Sequence, residues 1–311
     1  MSVVFSIRNK KSMFGYQKVM PAKDVLNLVE GVLTYSFEEA MLSRSLKDFP
    51  AMLCIRYGKS CLPIILRYLD QEHAYQFILA DFATLEDWRL ILEWLSALAR
   101  QLGNEIHDNL GTSYDADSIF SFDYENYLLK NLQNLEKDPD LHQYQLQGFA
   151  HSVILDRELL RKILDSPQPL EEFSQVVKKV QYSSAFFSQV RFYRQNETGG
   201  IIGSYSLTED TDTVLPRVPF VPAEFVEKVN MDEVIDWKVN LVEITGNPDM
   251  PESYKPVAAV NLEALLDALD SSEFELLDAN QIEIKKLSKE RLLQLAQLEI
   301  KKVLNSENFF C

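Results

Sequence analysis

The chain has 311 residues, of which 46% are apolar and 11% aromatic, with a formal net charge of −16. That composition can bury a continuous core and excludes long disordered stretches. The most apolar window, residues 88–102, is broken by Arg89, Glu93, Ser96, Arg100 and Gln101, which excludes a helix crossing a bilayer there.

Residues 3–7 alternate apolar and polar and predict a strand. A helix is expected from Pro21, where a missing N–H is harmless, to Gly31, and a second short helix over 37–46. Three extended runs follow at 51–57, 62–69 and 74–82, joined by short polar turns, the pattern of an antiparallel meander. The strongest helical signal comes next. Thr84 and Asp87 form a capping box, Trp88, Ile91, Leu92, Leu95, Leu98, Ala99 and Leu102 recur at helical spacing, and Gly103 stops the run. Such a helix, placed straight after a meander, is expected to lie on one face of that sheet.

A short strand at 105–108 and a helix at 123–136 close the first half. The polar stretch 137–142 (KDPDLH) is the expected boundary, dividing the chain into α+β domains of 1–138 and 139–311. The second half predicts an extended segment at 145–155 and helices at 156–164 and 169–180. A hairpin of 186–194 with 201–207 follows, then a loop over 208–222. A strand at 237–245, a helix at 261–269, a strand at 282–286 and a closing helix at 289–304 complete it. The fold class expected is α+β, an antiparallel meander and hairpins with helices packed on one face.

Charge is unevenly spread. Residues 1–23 hold five basic groups and no acid, whereas residues 24–284 hold 20 basic and 44 acidic groups. A surface with that excess repels phosphate, so nucleic acid and anionic membrane are not expected partners, and a basic protein is. The opening residues, apolar before basic and without a small-residue cleavage site, do not read as a signal peptide, so a cytoplasmic location is expected. Cys54, Cys61 and Cys311 are expected to remain thiols, and no further sulfur or imidazole lies at zinc-ligand spacing.

Tests for catalytic motifs mostly fail. Gly58-Lys59-Ser60 ends like a phosphate-binding loop, but Leu53 stands where that loop needs glycine, and Pro63 where its helix should start. Gly199, Gly200 and Gly203 lie in a hairpin rather than at a strand-to-helix turn. His107 stands beside a carboxylate, Asp108. With Asp115 and Asp117 it makes a group that could hold a divalent cation for hydrolysis, although Asp, Asn, Gly, Ser and Thr gather equally in solvated turns. Glu209, Asp210 and Asp212 read as an acidic surface loop. Pro216, Pro219 and Pro222 recur at the polyproline period, giving either a docking strip for a partner or a stiff connection. Phe309 and Phe310, adjacent aromatics near the C-terminus, would need a groove in this chain or another.

Residues 10–16 (KKSMFGY) with 21–26 (PAKDVL), and the block 80–88 (ADFATLEDW), resemble a family of uncharacterised proteins of Gram-positive cocci and their relatives. The resemblance implies no reaction, cofactor or catalytic residue. Block 80–88 with its helix is also similar to small α+β modules among bacterial toxin-immunity proteins, an analogy of fold alone.

The reading that follows is a non-enzymatic interaction protein whose acidic surface meets a basic partner, with no cofactor. Its alternative is a metal-assisted hydrolase using His107, Asp108, Asp115 and Asp117.

Overall fold

The alternation of the first strand is realised in the computed structural model, which describes residues 2–196, 199–222 and 225–307. Strand β1 (Ser2–Arg8) turns Val3, Phe5 and Ile7 into the interior. The chain forms two compact units, Met1–Tyr182 and Ser183–Cys311.

In the first unit, β1 leads into a small hairpin of β2 (Lys11–Ser12) and β3 (Gly15–Tyr16). Helix α1 (Ala22–Leu26) starts after Pro21, and β4 (Val32–Thr34) follows. The helix expected over 37–46 does not form; the segment holds only 3-10 turns at Glu39–Met41 and Leu46–Asp48. The carbonyls of Leu42 and Arg44 are taken by the N–H groups of Lys23 and Ala22, and the N–H of Leu46 donates to Met20. Those tertiary bonds occupy groups that a helix would have used for itself.

The meander is present as β5 (Met52–Arg56), β6 (Ile64–Leu69) and β7 (Ala74–Ala80), antiparallel throughout. Helix α2 (Leu85–Leu102) has its full capping box at Thr84 and Asp87 and ends on Gly103 in the left-handed region, at φ 62°. Strands β8 (Ile106–Asp108) and β9 (Ser113–Tyr114) complete a sheet of order β4-β5-β6-β7-β1-β8-β9. Trp94 meets Phe77 of this sheet edge-on, with ring centres 5.1 Å apart, and its indole N–H donates to the carbonyl of Val25 over 2.8 Å. Each fully buried side chain on the α2 stripe contributes about 1.5–3 kcal/mol. The cap contributes only about 1 kcal/mol, so packing on the sheet, more than the cap, holds this helix.

Helix α3 (Tyr124–Lys137) is capped by Asp123. The extended segment 145–155 is a tight hairpin, β10 (Tyr144–Gln147) and β11 (Ser152–Leu155), followed by α4 (Arg157–Leu164) and α5 (Pro169–Gln181). These elements belong to the first unit, so the division falls after Tyr182 and not near residue 138. The polar stretch 137–142 is a connector held by Arg157, whose guanidinium donates to the carbonyls of Glu136 and Asp138. Further ties bind α5 to the first half: Leu85 N–H donates to Ser174 Oγ, and the Tyr182 hydroxyl donates to the carbonyl of Ser60. Polar composition marked solvent exposure there, not an edge between cores.

In the second unit, β12 (Phe186–Phe187) and β13 (Arg191–Arg194) part company. Strand β13 forms the expected hairpin with β14 (Ile201–Thr208). Strand β12 pairs in parallel with β15 (Thr213–Pro216), which replaces part of the expected loop at 208–222. All four residues of β15 are buried, so it lacks the alternation by which a half-exposed strand is recognised. Strand β16 (Val234–Ile244) runs parallel to β14 and antiparallel to β17 (Tyr254–Asn261). The proline in β17, Pro256, sits on an edge strand beside a bulge, where a ladder tolerates it. Asn261 caps α6 (Leu262–Ala268). Strands β18 (Phe274–Leu276) and β19 (Gln281–Ile284) join the smaller sheet, of order β12-β15-β19-β18, and α7 (Lys289–Glu307) closes the unit. Leu265, Leu292 and Leu295 from the helices bury against Val239, Leu241 and Val260 of the larger sheet. Helices segregated against mainly antiparallel sheets make both units α+β.

Candidate functional site

The second unit holds a cavity of about 180 Å³ between its two sheets. One wall is β15, with Val214, Leu215 and Pro216, beside Phe187 of its parallel neighbour β12. A second wall is the segment after β15, which contributes Phe220, Pro222 and Phe225. That segment is aimed by Asn280, itself buried. Its side chain accepts from Val218 N–H over 2.8 Å and donates to the Val218 carbonyl over 2.9 Å, while its own carbonyl accepts from Arg217 N–H. Tyr205 closes the floor from β14; burial pushes its phenol above the usual range, against a backbone hydrogen bond from Phe220 that favours the ionised form. Gly203, two residues earlier, admits the Trp237 indole onto β14, since a Cβ there would lie 2.3 Å from the ring.

Polar groups in this lining are few. Ser188 Oγ accepts from Ser206 N–H over 2.8 Å. Gln281 N–H donates to Asp278, but its side-chain oxygen is buried with no hydrogen-bond partner. A buried carbonyl oxygen without a donor costs about 1–3 kcal/mol.

A second, shallower groove of about 510 Å³ lies on the face of the larger sheet that turns away from Val239 and Leu241. Ser204 and Ser206 of β14 and Asn240 of β16 line it, with Asn240 Nδ2 donating to Ser204 Oγ over 2.8 Å. The first cavity is the candidate site, because its enclosed, largely apolar walls favour a guest over water.

The proposed hydrolytic group is spent on turns. His107 Nδ1 lies 2.7 Å from Ser113 Oγ across β8 and β9. Asp108 accepts from the N–H groups of Leu110 and Thr112 and from the Tyr114 hydroxyl. Asp115 accepts from the N–H groups of Asp117 and Ser118, which lowers its pKa, and the exposed Asp117 pairs with Arg100 at 2.5 Å. Among the described residues, no group of three or more His, Cys, Asp or Glu side chains is placed to hold a metal ion.

Of the proline strip, Pro216 and Pro222 line the cavity and Pro219 is half-buried beside them. Pro216 is a strand residue paired with Gln281, so the strip begins inside a sheet and not in a free polyproline segment. Phe309 and Phe310 lie outside the described residues. Cys54 and Cys61 are buried thiols whose pKa burial pushes up to about 12.

Sequence reasoning missed Phe187, Phe220, Phe225 and Gln281 as neighbours, although the proline strip at 216–222 stood out. It also placed Asp87 as a cap without its further role. Asp87 Oδ1 accepts from Cys61 N–H at 2.9 Å, and Oδ2 accepts from Leu62 N–H at 3.2 Å and from the N–H and hydroxyl of Thr84. Burial raises its pKa from 3.8 to about 6 despite those donors.

Fold and cavity together define a two-unit α+β protein with a preformed apolar pocket in the second unit. The chain belongs to the family described as a domain of unknown function (DUF4299), whose model matches residues 2–295. No curated protein and no solved structure matches it.

Proposed function

We propose that this is a non-enzymatic binding protein that meets a basic protein partner, whose apolar side chain enters the pocket of the second unit. The cavity carries the reading. At about 180 Å³ it has the size of one aromatic or branched side chain, given that a cavity of about 150 Å³ accommodates benzene. The charge of the surrounding chain supports a basic partner: residues 183–284 hold 19 acidic and 6 basic groups, which attracts cations from solution and weakens with salt.

The test compares the full chain with Gln281→Phe, which places a bulkier ring in the lining of the cavity. Both are used to retain proteins from lysate over a salt series, with circular dichroism confirming that the variant folds. A bound protein released by salt and absent from Gln281→Phe is expected. Retention that ignores both salt and the substitution overturns the reading.

A further inference from the structure

The hairpin of β2 and β3 points two apolar side chains at solvent. Met13 and Phe14 form its two-residue tip and are 96% and 97% exposed, so they bury nothing in the fold. Two-residue hairpin tips ordinarily carry Asn-Gly or Asp-Gly, residues that suit the turn and water alike. The hairpin is nevertheless firmly built. Ser12 Oγ donates to the Gly15 carbonyl and accepts from Phe14 N–H, closing the tip. Lower down, Gln17 N–H donates to the Lys10 carbonyl, and the buried Asn9 donates through Nδ2 to the carbonyl of Gln17. Tyr16 stacks on His73 with ring centres 3.8 Å apart.

Below the apolar tip come ammonium groups. Lys10, Lys11 and Lys18 are all exposed, and Lys11 Nζ lies 5.7 Å from the centre of the Tyr16 ring. Residues 1–23 contain no acid; Asp70 and Glu72 belong to the turn that carries His73, at the base of the hairpin.

We propose that this hairpin docks on the surface of an anionic lipid bilayer. Met13 and Phe14 enter the boundary between headgroups and acyl chains, while the lysines remain at the level of the lipid phosphates. A convex tip needs a soft medium that closes around it, and a bilayer provides one without a preformed groove. The acidic excess of residues 24–284 opposes approach at long range. At physiological ionic strength, however, fields decay over about 8 Å, so the charges beside the tip decide the contact. With one apolar pair and three lysines, the attachment is weak and reversible.

Sedimentation of the full chain with phosphatidylcholine vesicles, with and without phosphatidylglycerol, tests this. Wild type is expected to partition onto the anionic vesicles, less onto the neutral ones, and less again at high salt. The double variant Met13→Ser with Phe14→Ser is expected to lose about tenfold or more of that affinity. Lys10→Glu with Lys11→Glu should lose a comparable factor on anionic vesicles alone. Because all four side chains are exposed, the variants should keep the wild-type melting temperature, which is measured alongside. No partition by wild type, or partition that survives Met13→Ser with Phe14→Ser, overturns the proposal. So does a tip-dependent dimer in lipid-free sedimentation velocity, which would assign the tip to a second copy of this chain.

Discussion

Replacing Asp87 with Asn removes a charge from the interior of the first unit while leaving one oxygen for its neighbours. The carboxyl is fully buried, and its pKa rises from 3.8 to about 6 because burial outweighs four donors. The folded state therefore holds this proton more tightly than the unfolded state, so its stabilising effect is complete below pH 4 and is lost as pH rises through about 6. A difference of roughly two pKa units corresponds to about 3 kcal/mol. Asn cannot titrate, so the unfolding free energy from urea titrations, wild type minus Asp87→Asn, followed from pH 4 to pH 7, should fall by about that amount. Subtracting the variant cancels every other carboxylate. Asp87→Ala provides the contrast: it leaves the N–H groups of Cys61, Leu62 and Thr84 without a partner in the interior and should cost about 3–5 kcal/mol at neutral pH. A difference curve that is flat or climbs with pH would refute the reasoning, since it would mean that the donors and the α2 N-terminus, not burial, set the proton affinity.

Two further outcomes follow from packing. With thiols raised to about 12, Cys54 and Cys61 should resist thiol reagents in the native chain and react only on unfolding. Rapid labelling of either one in a Cys311→Ser background, read by mass spectrometry, would contradict their burial. Gly203→Ala should cost about 1–3 kcal/mol and shift the fluorescence of Trp237, because its new methyl group would lie 2.3 Å from that indole. An unchanged urea midpoint would show that the ring is free to move aside.

The hydrolytic group and the pocket show where sequence signals succeed and fail. Asp108, Asp115 and Asp117 are drawn to one loop by turn chemistry, and each finds its hydrogen bonds within a few residues or on Arg100. Their clustering in sequence therefore described the turn. The pocket has the opposite character. Phe187, Tyr205, Phe220 and Gln281 are scattered over almost a hundred positions, and none of them carries a local signature of its role.

Short-range energies were written in the chain itself. Thr84, Asp123, Asp156 and Asn261 each cap a helix by accepting from an N–H three residues on, and β1 alternates because neighbouring side chains face opposite sides. Tertiary structure alone decided that β15 is a strand, that β14 runs parallel to β16, and that residues 139–182 join the first unit. It also decided that Asp87 reaches back to Cys61 and Leu62. Those outcomes depend on which distant segments exclude water together, a sum over pairs of surfaces that no window of neighbouring residues contains.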